Sequence, residues 1–380
     1  MPSSDPFWLT ERAPAFPRRE LDSRADVEIV GGGVTGFSAA LTLARNRRKV
    51  RLYEARKVAS GASGRNGGFA LRGGAMSYAD AREWLGAEQA KRFWRLTERA
   101  LATIYELGGD ACSPTGSLRL GEQDEHEALE AEHAALVEDG FEAEWRAGDE
   151  LPAALGGRFT GAIFHPGDAL VQPARLTRRL AERAAGLGVE IREHHRVASL
   201  DELDAPVVLV ATDGYPSDLL GELEGLIIPT RGQMIATEPL EERIFPAMPF
   251  YGRHGYDYWH QDADGRLIAG GFRDADMSGE FTAEEETTGQ IQAALDAFAE
   301  SLAGFRPRVT HRWSGIFGLV PDLMPVVGPV PGSDRLWVAG GYSGHGNVLG
   351  FACGELAAQT ILGGDPSPLL PPMDPARLVG

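Results

Sequence analysis

Residues Gly31-Gly32-Gly33-Val34-Thr35-Gly36 set three glycines in a G-x-G-x-x-G register, and the chemistry open to that spacing is phosphate binding. Gly31 permits a tight turn, Gly33 lets an anion approach the backbone, and Gly36 lets a helix pack closely on a strand. Val34 and Thr35 begin that helix, where free N–H groups and the helix dipole favour negative charge. Glu54, followed by Ala55 and Arg56, lies 18 residues beyond Gly36 and offers a carboxylate to ribose hydroxyls. The ligand expected from this pattern is a dinucleotide.

Two further glycine windows narrow the choice of dinucleotide. Residues 31–36, 61–74 and 340–350 hold 15 of the 48 glycines in 31 positions, where even spreading gives about four. Clustered glycine marks sharp turns or close backbone approach. The second window, with Ser63, Arg65, Asn66, Gly67 and Gly68, follows Glu54 almost directly, where a nicotinamide domain would begin a helix. A small polar loop carrying an arginine suits a flavin whose pyrophosphate and ring lie along the chain. The third window, with Gly341, Gly344, His345, Gly346 and Asn347, opens a helical pattern to about Leu362 and reads as a second ligand-facing turn.

The elements that must position these turns are legible around them. Asp26–Val30, Val50–Glu54, Val207–Thr212 and Leu336–Ala339 read as short apolar strands, and the small residues of Phe37–Ala44 have helical spacing. Ala87–Leu107 and Glu122–Gly140 read as helices with an acidic face. Pro173–Leu187 reads as a crossover helix with proline in its first turn, leading to the strand Val189–Arg192. From Arg231 to Gly271 the pattern is strand-like. Thr282–Leu302 reads as a helix whose acidic start suits the dipole. The Pro-rich tail from Asp365 to Pro375 reads as loose peptide.

Taken together, these segments resemble the amino-acid oxidase superfamily of flavoproteins, which holds the D-amino acid, glycine and sarcosine oxidases. The pieces that carry the resemblance include Ala62–Phe69, Gly167–Pro173, Arg231–Met234, Asp264–Gly271 and Ser343–Gly346. The Ser-Gly-Arg-Asn-Gly-Gly and Ser-Gly-His-Gly pieces are most similar to the gamma-glutamylputrescine oxidoreductase branch. The resemblance implies an α/β fold: a Rossmann-type FAD-binding domain assembled from residues 1–75, 150–230 and 306–380, and an α+β substrate domain with an antiparallel sheet from residues 76–149 and 231–305. It also implies a residue near Val197 against the adenine, with Ala211 and Thr212 at the cofactor.

The resemblance further implies that flavin N5 takes a hydride from the carbon beside a substrate amine, leaving an imine that hydrolyses. The amine must be neutral to react, and an aromatic, poorly hydrated pocket lowers the pKa of an ammonium group. Six aromatics, Phe245, Phe250, Tyr251, Tyr256, Tyr258 and Trp259, fall within 15 residues, with Arg253 and His254 among them and His260 directly after. About half should face the substrate, Tyr251 and Tyr258 foremost, while the others act as strand core. His345 is expected beside the flavin ring, to position it, stabilise its reduced form, act as a weak acid or base, or simply cap the turn. Arg72 sits where sarcosine oxidases carry a carboxylate-binding arginine, and a bidentate arginine is the natural clamp for that group.

Departures from the family pattern point to the substrate. Phe317 stands where glycine oxidases carry a second carboxylate arginine, so a primary or secondary amine, with any carboxylate remote, is expected over a plain α-amino acid. No cysteine lies between Cys112 and Cys353, so FAD should be held non-covalently. No lysine follows Lys91, and Ile268 takes the place of an oxygen-activating lysine, which leaves O2 or another molecule as the electron acceptor. Two rival readings are an oxidase of D-amino acids, glycine or sarcosine, and a flavin-binding subunit without turnover of its own.

Composition removes other classes. Lys and Arg total 37 against 55 Asp and Glu, a net charge of -18 that repels nucleic acid and anionic lipid and suits a cationic amine. Two cysteines make neither a disulfide framework nor a four-cysteine zinc site, and no metal is expected. The first residues lack the basic and apolar regions of a signal peptide, and no apolar run reaches the ~18 residues of a membrane span, so a cytoplasmic location is expected.

Overall fold

Val27-Glu28-Ile29-Val30 is buried at every position, as a strand covered on both faces must be. It lies at the centre of a parallel sheet. The computed structural model describes residues 2–16, 20–155, 157–215, 219–223, 225–364 and 370–379. Among these, a six-stranded sheet runs in the order Val326–Pro329, Leu336–Gly340, Val207–Val210, Val27–Val30, Val50–Tyr53 and Glu190–Arg192. Every pairing is parallel except that of the edge strand Val326–Pro329. Glu28 is buried within the central strand because its carboxylate accepts from Tyr53 Oη at 2.8 Å, Arg51 at 3.1 Å and the backbone of Asp204 and Ala205.

Helix Val34–Arg45 leaves the first strand directly and packs against helices Val348–Ile361 and Pro173–Gly186. Ser38 Oγ donates to the Phe351 carbonyl at 2.6 Å. The apolar face of this layer, with Phe37, Leu41, Leu180 and Phe351, joins Ile29, Leu52 and Leu209 of the sheet in one core.

An eight-stranded sheet stands beside it, in the order Val309–Leu319, Ile228–Pro239, Arg266–Gly271, Asp257–Gln261, Phe250–Gly252, Ser117–Gly121, Gly161–His165 and Glu144–Ala147. Its pairings are antiparallel except Phe250–Gly252 with Ser117–Gly121. Alternation along the strands sorts the aromatic run. Phe245, Phe250 and Trp259 enter a core with Ile291, Leu295 and Phe298 of helix Gly289–Ala303. Two strands of this sheet, Gly161–His165 and Val309–Leu319, come from segments that the expected boundaries assign to the FAD-binding part.

Two local expectations are corrected. The helix expected over 282–302 begins only at Gly289, and its first turn holds no acidic residue. The acidic residues before it lie in the preceding loop, where Glu285 is drawn away by Arg56, Arg65 and Tyr215. The proline-rich tail is anchored where it is described: Leu370–Met373 is a short helix, Met373 and Pro375 are buried, and Arg377 pairs with Asp322 at 2.8 Å. Residues 365–369 lie outside the described residues. No helix among the described residues is long and apolar enough to cross a membrane.

Candidate active site

The carboxyl ends of the parallel strands open into a cavity of about 1160 Å³, above the ~300–1,000 Å³ usual for small-ligand sites. This edge of a doubly wound sheet is where such folds bind ligands. Gly31 lies at φ 120, and a Cβ there would sit 2.4 Å from the Ala211 carbonyl oxygen, so only glycine makes this turn. Gly33 differs: its φ of -93 suits any residue, but a Cβ would stand 2.9 Å from Ser63 Oγ, inside the cavity mouth. Ser63 Oγ itself accepts from the Val34 N–H at 3.0 Å, at the helix N-terminus where a phosphate oxygen would be received.

Glu54 Oε2 accepts from Gly32 N at 2.9 Å and Oε1 from Arg56 N at 2.8 Å. Each oxygen keeps lone-pair capacity for a ribose diol. Burial pushes the Glu54 carboxyl above its ordinary range, against these two N–H donors. Ala55, Val197, Ala211 and Thr212 line the same end of the cavity. The glycine cradle, the ribose acceptor and a pocket of this size fit an FAD. Gly36, Gly68 and Gly341, expected at the cofactor, do not line the cavity. A Cβ on each would strike backbone or packed side chains, so they shape its walls from behind.

The second and third glycine windows are stitched to each other. The Asn66 and Asn347 side-chain amides pair at 3.0 Å in both directions. Asn347 also donates to the Phe69 carbonyl at 2.7 Å, and the Trp8 indole donates to the Asn66 carbonyl at 2.7 Å. Thr35 donates to Tyr342 Oη at 3.0 Å, tying the first window to the third. Arg65 lines the cavity but spends its donors on the Ser60 and Ser314 carbonyls and on Glu285. Arg56 makes a two-pronged pair with the same Glu285, at 2.7 and 3.0 Å.

Beyond the cofactor edge the cavity is lined by Tyr251, Tyr256, Tyr258 and Phe317 together with Gly67, Gly344, His345 and Gly346, and Gly67 lies against the Tyr258 ring. Tyr251 and Tyr258 sit directly across from each other in register. Burial pushes the Tyr258 phenol up to about 12, so it is a neutral donor. His345 is half-buried, its Nδ1 lacks a hydrogen-bond partner, and burial pushes its imidazole down to about 4, with Arg119 and Arg273 acting in the same direction. It is therefore neutral at pH 7.

Arg72 touches the cavity wall but is not available as a carboxylate clamp. Its Nε donates to Asp168 at 3.1 Å, Nη1 to Glu98 at 3.1 Å, and Nη2 to the Glu142 carbonyl at 3.0 Å. Asp168 is held further by Ser117 at 2.7 Å. The guanidinium is an internal brace, which its spacing from Ser63 did not show.

His260 does not line the cavity. It lies behind it, stacked on Trp8 at 6.0 Å and edge-on to Phe69 at 5.8 Å. Neither ring nitrogen makes a sound hydrogen bond, and burial pushes its pKa down to about 3. The unfolded chain takes up a proton near pH 6.5 while the native state resists it to about 3. Stability from this site is therefore present above pH ~6.5 and falls as pH drops toward 3. His260→Phe, which keeps the aromatic packing and removes the proton, should flatten the fall in melting temperature between pH 7 and 4. An unchanged acid profile would refute the assignment.

Several lining residues come from segments with no motif. Asp213 accepts from Gly341 N at 2.8 Å and Gly318 N at 3.0 Å, joining the third glycine turn to the long strand Val309–Leu319. Arg119, half-buried, forms an ion pair with the buried Glu132 in the cavity wall. Glu285 and Arg273 reach in from the loop before helix Gly289–Ala303. Only the Thr212-Asp213-Gly214 turn after a strand offered any signal; the others depend on tertiary placement.

The chain is 29% identical over 378 residues to the probable oxidoreductase OrdL of Rhizobium meliloti, covering 92% of this chain and 86% of that protein. It is 27% identical over 365 residues to the gamma-glutamylputrescine oxidoreductase of Escherichia coli, covering 89% and 84%. The crystal structure of glycine oxidase from Geobacillus kaustophilus superposes with a TM-score of 0.76 at 22% identity, over 94% of this chain and 100% of that one, and supports the fold. The sequence model of the DAO family, FAD dependent oxidoreductase, matches residues 26–360. With that match over most of its length and a cavity built for the cofactor, the chain belongs to the DAO family of FAD-dependent oxidoreductases.

Proposed function

We propose that this enzyme oxidises the C–N bond of a primary or secondary amine to an imine that hydrolyses to a carbonyl compound. The observation that carries the reading is one continuous cavity, running from the glycine cradle to a chamber walled by Tyr251, Tyr256, Tyr258 and Phe317. When bound, FAD supplies the acceptor for the hydride that leaves the carbon beside the nitrogen. The chain's own residues do the rest. The aromatic walls exclude water and favour the neutral amine over the ammonium form. The neutral Tyr258 phenol orients the amine end, and His345 places an uncharged imidazole at the third glycine turn. Gly31, Gly33 and the N-terminus of helix Val34–Arg45 hold the pyrophosphate, Glu54 the ribose, and Val197 the adenine. Neither cysteine lines the cavity, so the flavin is held without a covalent thioether. The cavity walls described carry no lysine, which supports slow re-oxidation by O2 or the use of another acceptor.

The test is product analysis. The yellow protein is incubated with mono-, di- and polyamines and their γ-glutamyl conjugates, and carbonyl products are trapped with a hydrazine reagent. An amine-dependent hydrazone with matching release of ammonia or amine is expected. Hydrazone from α-amino acids alone would replace this reading with an amino-acid oxidase. No product from either class would leave a flavin-binding subunit.

A further inference from the structure

Among the described residues, four of the six arginines that line the cavity are paired with carboxylates. Around the cavity, Arg72 is held by Asp168 and Glu98, Arg119 by Glu132, and Arg56 and Arg65 by Glu285. Just outside it, Arg253 is held by Asp257 and Asp274. Arg273 departs from this pattern. It lines the cavity half-buried, and among the described residues it makes neither an ion pair nor a hydrogen bond, although Asp274 and Asp276 are close in sequence. Its guanidinium lies 4.3 Å from the Tyr256 ring centre and 5.7 Å from that of Phe317. Arg196 also reaches the cavity without an ion pair, but it is exposed at the adenine end beside Val197.

The backbone aims Arg273 deliberately. Strand Arg266–Gly271 ends in two left-handed residues, Gly271 at φ 123 and Phe272 at φ 61. The Phe272 N–H donates to the Tyr256 carbonyl at 2.7 Å, and the Phe272 ring packs edge-on against Phe298 at 5.1 Å. The turn therefore packs Phe272, partly buried, against the core beneath helix Gly289–Ala303 and sends the next side chain to the cavity. Stacking on aromatic faces fixes the guanidinium plane and leaves its edge, a fork of N–H donors, free. A planar two-oxygen anion is the partner such an edge accepts bidentately.

We propose that Arg273 receives the carboxylate of the substrate, so that the amine oxidised in this cavity is one that carries a carboxylate group. Phe317 then acts beside it as a stacking surface. The assignment rests on the amine-oxidising reading for its substrate, but anion binding can be measured without turnover.

The test titrates the FAD-loaded enzyme with linear monocarboxylates of two to six carbons and, separately, with the uncharged amides of the same lengths, following the visible flavin spectrum. At least one carboxylate should bind the native enzyme. Arg273→Gln should weaken it by about 10–100-fold, the worth of a charged hydrogen-bonded contact, while amide binding changes far less. Arg273→Lys should recover only part, because an ammonium cannot reproduce the fork. The proposal is overturned if no carboxylate perturbs the native enzyme, if Arg273→Gln leaves carboxylate affinity intact, or if carboxylates and amides weaken alike. Carboxylate binding lost in Arg273→Gln, in an enzyme that no amine reduces, would retain the anion site and refute amine oxidation. Reduction by amines with an indifferent Arg273→Gln would do the reverse.

Discussion

Arg72→Met should cost about 3–5 kcal/mol of folding stability, because it removes one partner of a buried ion pair and strands the other. Asp168 is 2% exposed and Arg72 7%. Burial already pushes the Asp168 carboxyl upward, opposed by Arg72 and Ser117, so losing the guanidinium leaves that group uncompensated in the interior. The guanidinium also ties Glu98 of helix Ala87–Gly108 to the Glu142 carbonyl and to the turn at Asp168. The loss is read by denaturant or thermal unfolding of both the FAD-loaded and the FAD-free protein. Arg72→Met with Asp168→Asn should recover part of it, since the second change removes the stranded charge. A carboxylate clamp behaves differently: Arg72→Met would then leave stability nearly intact and raise KM for carboxylate-bearing substrates alone.

Gly33→Ala should weaken FAD binding by about 10–100-fold while leaving the FAD-free fold within ~1 kcal/mol. Gly33 has φ -93, which alanine adopts freely, so the backbone is not strained. The added Cβ meets only the Ser63 hydroxyl, at 2.9 Å, and the atom that yields is the end of a short side chain. What the methyl fills is the space that the proposed function assigns to the pyrophosphate. Gly31→Ala is the contrasting variant. Its φ of 120 and a contact of 2.4 Å with the Ala211 carbonyl would damage the strand ends themselves, so the FAD-free protein should also be destabilised. Separating the two needs FAD titration by fluorescence quenching beside unfolding of the FAD-free protein. Equal FAD affinity in Gly33→Ala and native protein would remove the phosphate from this turn.

The cofactor half of the site was legible because its chemistry is local. Gly31, Gly33 and Glu54 sit within one strand–turn–helix–strand unit, so spacing alone places them together. The aromatic run was legible for a similar reason, since period-two alternation sends Tyr251 and Tyr258 to one side and Phe250 and Trp259 to the other. The charged residues were not. Arg72 and Arg273 are both arginines near the cavity, and only tertiary neighbours distinguish the one saturated by Asp168 and Glu98 from the one stacked on Tyr256 without a carboxylate. The acidic run before Gly289 misled in the same way. Glu285 reads as helix-favouring charge, yet two arginines and a tyrosine hold it outside the helix. Asp213 accepts from Gly318 and Gly341, each more than 100 residues away from it in sequence.

The central claim is that an amine delivers hydride to a flavin held at the glycine turns, and it can be tested in one anaerobic cuvette. The purified yellow protein, mixed without oxygen with a panel of amines with and without carboxylate groups, should lose its visible flavin absorbance with at least one of them. The colour should return on admitting air or an artificial acceptor, and acid should release the flavin into solution. A protein that stays yellow with every amine, yet bleaches with dithionite, would contradict the account.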